Sequence, residues 1–331
     1  MDKHKKLKAR NSSYWQKRME NVLVENEQTA LKYEQKLLKI YNEYKLIVEQ
    51  QLQAFYQKYA EETRLSLVDA KKRLNPKQLK SFHQQQKIYI DKVEELIEKG
   101  ASLEKHKKTL DKLAGRARVT RLQEIQNNIN TEIMLLNGEQ EVNLTDTLET
   151  VYKNGFKATL EVLEQGLNIG ISFTSPDSNY IMKVLKTPWS GDNYSDIIWK
   201  NKAKLTNWLN TSLPRHLAMG STIPEMTKDL QHNLDVNFKA ARRLVRTEAN
   251  YVSNQASMEA YEQSGVVDKY QYIATLDERT SEICEDMNLR IFNVKDSQVG
   301  VNTPPMHPHC RSTTIPYLEE YAEEYQYRKD G

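Results

Sequence analysis

Apolar side chains recur through the first third of the chain in steps of three and four: Tyr33, Leu37, Ile40, Tyr44, Ile47 or Val48, Leu52, Phe55 and Tyr59. That is the period of one helix face, and residues 12–74 contain neither Gly nor Pro to interrupt it. The pattern predicts one long amphipathic helix with a narrow apolar stripe, which must pack on another helix to leave water. Asn75-Pro76 ends it, because the residue before a proline is pushed toward extended backbone. Residues 82–97, with Ile88, Ile90, Val93, Leu96 and Ile97, supply a helical partner that Gly100 closes. A third helical run over 103–136 carries Leu110, Leu113, Val119, Leu122, Ile125, Ile129, Ile133 and Leu136. Residues 1–136 thus read as elongated helices or an antiparallel helical hairpin.

Asn137-Gly138 is a turn signal, and Thr145 or Asp146 can cap a new helix that reaches about Leu167. Gly166, Gly170, Pro176, Pro188 and Gly191 then predict an irregular segment or short strand over 166–192. Trp189, Trp199 and Trp208 read as packing anchors. Shorter helices follow at 196–210 and 224–234, and residues 237–263 form a helix ended by Ser264-Gly265. Arg242, Arg246, Asn250 and Asn254 share one face of it, while Glu248 points toward another element. Beyond Val266 the period becomes two. Strands are expected at 269–274, 290–294 and 311–316, with a short helix carrying Ile283, Cys284 and Met287 between the first two. The fold class is mainly α with a small C-terminal α+β domain. Its segments are a basic helical region (1–136), a helical middle (137–236), the α+β domain (237–317) and a charged tail (318–331).

The chain has 331 residues, 38% hydrophobic and 28% charged, with a mean hydropathy of −0.76. No run of about 18 apolar residues occurs, so neither a membrane span nor a signal peptide is expected. Two cysteines cannot build a disulfide framework and point to folding in a reducing compartment. The net charge of +3 conceals an asymmetry: residues 1–120 carry 27 Lys/Arg against 16 Asp/Glu, net +11, and the remainder is net −8. Lys3, Lys5, Lys6, Lys8 and Arg10 form one basic cluster, and Lys71, Lys72, Arg73, Lys77 and Lys80 another. Such clusters attract polyanions by counterion release, which makes nucleic acid the candidate partner; from charge alone the favoured reading is a solvated, highly charged helical face.

Residues 272–316 hold both cysteines, two of seven histidines and four of nine prolines. Pro304, Pro305 and Pro308 stiffen a loop able to hold side chains still. If that loop turns, His307 and Cys310 meet, and with Cys284 they form a candidate zinc set lacking one ligand. Asp277, His309 or water could complete it. A Cys/His nucleophile lacks a visible oxyanion hole. The favoured reading is a structural knot, in which Asp277, Arg279 and Arg311 make a buried ion-pair network and Cys284 is a small core residue. A Cys284–Cys310 disulfide is a further alternative.

Tyr272-Ile-Ala-Thr-Leu-Asp-Glu-Arg-Thr-Ser-Glu-Ile-Cys, the Arg-Ile-Phe strand and Pro-Pro-Met-His-Pro-His-Cys-Arg-Ser-Thr resemble the phage Mu F-like minor head (head morphogenesis) proteins. Arg246-Thr-Glu248 with Asn254 is similar to the same pattern, and the resemblance covers residues 242–317. It implies a minor capsid component present in few copies. Its expected partners are the portal protein, capsid or scaffolding proteins and DNA. It would lie in the virion near the portal, and in the host cytoplasm during assembly. Carried over by position, Asp277, Arg279, Thr280, Cys284, His307, Pro308, Cys310 and Arg311 are the motif residues. Some relatives have Cys where this chain has Ser281, a departure that weakens a four-ligand zinc site. Some also carry a toxin or ADP-ribosyltransferase domain after the motif; fifteen residues follow Pro316, so none is expected here. The resulting expectation is a non-enzymatic head protein assisting DNA packaging or ejection. The alternative is a metal-dependent hydrolase or nuclease centred on Cys284, His307 and Cys310.

Overall fold

Nine helices and a three-stranded antiparallel sheet make up residues 12–60 and 65–318, the part of the chain that the computed structural model describes. The helices are α1 (Ser12–Tyr59), α2 (Leu67–Ala70), α3 (Pro76–Glu98), α4 (Glu104–Ala114), α5 (Arg121–Leu167), α6 (Ser178–Leu185), α7 (Tyr194–Met219), α8 (Ile223–Ser264) and α9 (Glu282–Met287). The strands are β1 (Lys269–Ile273), β2 (Ile291–Asn293) and β3 (Thr313–Tyr317). The mainly α class with a small C-terminal sheet agrees with the sequence pattern. No helix among the described residues is long and apolar enough to cross a membrane.

Several boundaries differ from those the sequence predicts. Helix α5 runs straight through Asn137-Gly138. The Asn137 amide donates back to the Ile133 carbonyl at 2.7 Å, so it stays helical. Gly138 serves close approach, since a Cβ there would stand 2.7 Å from Leu103 Cδ1. Helix α8 likewise continues through 235–237, and α7 extends past Pro214 to Met219. The long run predicted over 103–136 is broken around Gly115, and the irregular 166–192 segment contains α6. Asn75 caps α3 in a capping box with Gln78, with Pro76 in its first turn. That helix buries Phe82, Gln86, Tyr89 and Val93 and leaves Ile88 exposed.

The chain divides into two units. The first takes the part up to Tyr33, Thr145–Tyr194 and the part from Arg243 onward; the second takes Glu34–Leu144 and Ser195–Arg242. In the second unit Leu37, Ile40, Val48, Leu52, Phe55 and Tyr59 are buried, as their spacing predicts, and Tyr41 and Tyr56 join them. The Tyr41 hydroxyl sits between Gln140 and Asn237, and Tyr89 donates to Glu132 at 2.9 Å. Glu141 gathers the Ser102 amide and hydroxyl, the Ser195 hydroxyl and the Trp199 indole N–H. The stripe on α1 is therefore wider than a pure apolar seam, and the buried hydroxyls of Tyr41, Tyr56 and Tyr59 are each met by a partner.

In the first unit the sheet order is β2-β1-β3, with both neighbours antiparallel to β1. Trp15, Met19, Leu163, Leu167, Met258, Tyr261, Tyr270, Ile273 and Ile315 pack as one core. Gly166 has no side chain because the Trp15 ring fills the space: a Cβ would lie 2.1 Å from its Cη2. On α8, Asn250 and Asn254 both donate to the Ser312 carbonyl, and Tyr261 donates to the Thr314 carbonyl. These bonds fix the segment entering β3, which carries the residues described next.

Candidate metal centre

Three segments of the first unit converge: the end of β1, the start of α9 and the loop before β3. Ser281 caps α9 by accepting from the Cys284 amide, which sets Cys284 in the first turn facing inward. The loop turns rather than extends: the Cys310 amide donates to the His307 carbonyl at 3.1 Å, and His309 adopts a positive φ of 64°. The turn brings His307 and Cys310 together with Cys284.

Cys284 Sγ lies 3.7 Å from Cys310 Sγ and 3.3 Å from His307 Nε2, and the three donor atoms all fall within 4.8 Å of one another. Zinc bonds of about 2.3 Å to sulfur and about 2.0 Å to nitrogen place two tetrahedral sulfurs about 3.8 Å apart and a sulfur and nitrogen about 3.5 Å apart. The observed spacings fit that set. His307 Nδ1 lies 2.8 Å from the Pro308 carbonyl, which accepts only a proton. Its Nε2 therefore carries the lone pair, the tautomer a metal ligand needs. The Ser281 hydroxyl donates to it at 2.8 Å.

Tyr272, fully buried on β1, donates to Cys284 Sγ at 3.3 Å and lies 4.0 Å from Cys310 Sγ. The Cys310 thiol bonds to Cys284 sulfur and so holds the Cys284 thiol well below its ordinary value, while the same bond and burial push Cys310 up. One proton leaves this pair readily and the other is kept. Burial raises the Tyr272 phenol, so it remains a donor. A cluster that releases protons, offers soft sulfur and imidazole donors and supports them with an O–H suits a borderline-soft divalent cation.

The motif carboxylate lies outside this cluster. Asp277 receives both terminal nitrogens of Arg311 at 2.6 Å, and its Oδ1 also accepts the Arg279 amide at 2.8 Å. Thr280 Oγ1 accepts from the Asp277 amide and donates to the Thr275 carbonyl, and Thr275 donates to the Arg311 carbonyl. The structure brings Asp277 and Arg311 together at a partly exposed position, not a buried one, their side chains being 36% and 30% exposed, and the Arg279 guanidinium stands 3.5 Å from Asp277 on the outside. The Asp277–Arg311 pair clasps the two loops from outside. Pro308 lies exposed at the loop tip.

Glu248 is separate from both. It is 2% exposed, accepts from the Trp189 indole at 3.3 Å, and burial pushes its carboxyl up to about 7. Arg246 and Arg311 both act electrostatically on Glu27, whose carboxyl burial raises and these arginines lower. Thr247, which the sequence reading passed over, accepts from the His309 amide at 3.2 Å. Ser281 and Tyr272 were also not singled out as site residues. The signal for Ser281 was its place three residues before Cys284.

In the second unit Lys71, Lys72, Arg73, Lys77 and Lys80 are all exposed. Residues 72–74 pair with 119–121 through an Arg73–Thr120 bridge, which carries exposed Arg116 and Arg118 alongside. Lys72 also pairs with Asp69 at 2.6 Å. Lys3, Lys5, Lys6, Lys8 and Arg10 lie outside the described residues.

Residues 207–315 match the protein family described as "Phage Mu protein F like protein". The chain is also 24% identical over 283 residues to "NAD(+)--arginine ADP-ribosyltransferase EFV" of Enterococcus faecalis (strain ATCC 700802 / V583). That alignment covers 81% of this chain and 52% of the relative, so the chain spans about half the length of the curated relative it matches. No solved structure matches.

Proposed function

We propose that this chain, a phage head-related protein of the Phage Mu protein F like family by its residues 207–315, is a minor head protein acting at the portal vertex. The family match carries this reading, and it spans all the elements that build the Cys-His-Cys cluster and its clasp. In the proposal the protein works by binding, not by catalysis. It contacts the portal and capsid or scaffolding proteins during assembly in the host cytoplasm, then stays in the virion. Its basic surface around Lys71–Lys80 holds double-stranded DNA during packaging or ejection, and Cys284, His307 and Cys310 hold a structural zinc ion. An ion held there would cross-link the loop before β3 to α9, with β1 attached through the Tyr272 hydrogen bond to Cys284. The transferase activity in the name of the Enterococcus faecalis relative is not carried over, since about half of that protein lies outside the match.

Portal-bearing procapsids purified from infected cells should contain this chain in a few copies. Procapsids that package normally and lack it would end the reading.

A second reading, a metal-dependent hydrolase or nuclease, draws on one observation: the cluster offers three Cys or His ligands, as open catalytic zinc sites do. Metal-dependent cleavage of DNA by the purified protein, lost on Cys284→Ala, would favour it.

A further inference from the structure

The zinc set as read from Cys and His stops at three ligands. Two of the candidates for the fourth corner are otherwise engaged or displaced. Asp277 has both oxygens occupied by Arg311 and one also by the Arg279 amide. His309 is exposed and is not among the residues whose ligand atoms gather within 4.8 Å. Ser281 is different. Its Oγ lies 2.8 Å from His307 Nε2, the lone-pair nitrogen, and it is anchored by the Cys284 amide, its backbone three residues from a ligand on the same turn. Two tetrahedral ligands about 2.0 Å from zinc stand about 3.3 Å apart, so Ser281 Oγ, at 2.8 Å from Nε2, lies beside the missing vertex and draws back by about 0.5 Å to reach it.

We infer that Ser281 is the fourth ligand of this centre, closing it as a two-sulfur, one-nitrogen, one-oxygen zinc site. The inference rests on the zinc reading above and deepens it. Two thiolates and two neutral ligands balance the charge of a divalent ion. On binding, both thiol protons pass to solvent, and the Ser281 hydroxyl hydrogen swings off the line to Nε2 as both lone pairs turn to the metal. Tyr272 stays bonded to Cys284 sulfur and orients it. With four protein ligands no vertex remains for water or substrate. The centre is then a staple joining α9 to the loop before β3, which sets it apart from the hydrolase reading.

The test uses the full chain, purified in metal-free buffer and titrated with cobalt(II), whose visible spectrum reports geometry and thiolate number, with zinc as competitor. Wild type should bind about one ion per chain with a four-coordinate spectrum. Ser281→Ala should bind on the order of tenfold to a hundredfold more weakly, with a changed spectrum, at least the loss that outer-sphere partners produce. Because that change also removes the α9 cap, Ser281→Cys is the companion: it should bind more tightly and add a third sulfur-to-cobalt band. Ser281→Ala with unchanged affinity and spectrum would show water as the fourth ligand and overturn the assignment while leaving the zinc reading intact. Ser281→Cys without a third sulfur band would overturn it as well. A wild-type chain that binds no metal would overturn both.

Discussion

Arg311 lays its two terminal nitrogens on the two oxygens of Asp277, at 2.6 Å each, across 34 residues of sequence. The arrangement joins the loop before α9 to the loop before β3 just outside the Cys-His-Cys cluster. Lysine keeps the charge but cannot reproduce the planar fork. Arg311→Lys should therefore leave the fold in place and speed amide exchange at Cys310 several-fold. Arg311 first, then the Arg279 amide, holds the Asp277 carboxyl below its ordinary value of 3.8. The stabilisation is thus present above 3.8 and lost only as pH falls toward the folded value. Cys310 exchange, corrected for its intrinsic rate, should show no clasp-dependent change between pH 5 and pH 7.

Glu248 predicts the opposite sign. Its carboxyl is pushed from 4.5 up to about 7 by burial. The folded state holds a proton that the unfolded state has released, so stability is full below 4.5 and declines as pH rises to about 7. At about 1.36 kcal/mol per pH unit, the loss is roughly 3 kcal/mol. Glu248→Gln keeps the acceptor for Trp189 without the charge. Its urea midpoint should match wild type near pH 4.5 and exceed it above pH 7. Equal midpoints at both pH values would show that the buried carboxyl is not destabilising.

Gly166→Ala sets two effects against each other. Helix propensity favours alanine by up to about 1 kcal/mol, less in a final turn. The new Cβ would meet the Trp15 ring at 2.1 Å, and overpacking a core costs about 1–3 kcal/mol. The clash should win, lowering the thermal midpoint. A raised midpoint would mean that Trp15 can step aside.

For DNA, each phosphate neutralised contributes about 0.9 to the slope of log affinity against log salt. Replacing Lys71, Lys72, Arg73, Lys77 and Lys80 by serine should weaken binding and flatten that slope. Arg116→Ser with Arg118→Ser should flatten it further, because the Arg73–Thr120 bridge sets their loop beside the lysines. An unchanged slope in both variants would remove this surface from consideration.

The helices and strands were largely legible because burial follows period. Leu37, Leu52 and Phe55 on α1, and Tyr270 and Tyr272 on β1, are buried as their spacing requires. Local turn chemistry misled where tertiary packing overrode it: Asn137-Gly138 reads as a turn, yet Leu103 packs onto that glycine within a helix. The Cys284, His307 and Cys310 grouping was legible from ligand type and loop stiffness. Its supports were not. Asn250 and Asn254 show only that they share a helix face, while their common target, the Ser312 carbonyl, is a backbone atom about 60 positions away that no side-chain pattern encodes. Ser281 was noted only as a missing cysteine, because a hydroxyl beside an imidazole looks like any helix cap until the loop folds over it.

The interleaving of the two units also sets an order of birth. By the time a ribosome has issued Arg242, every residue of the second unit exists, and its core around Tyr41 and Tyr89 can close. Trp15, made far earlier, belongs to a core that includes Ile315 and must wait for it. The first turns of α1 are thus synthesised before any residue of the second unit, yet are buried only once β3 has emerged. A nascent chain stalled before β3 would carry a finished second unit together with α1 turns whose Trp15 and Met19 still lack part of their core, the state in which a holding chaperone would find it.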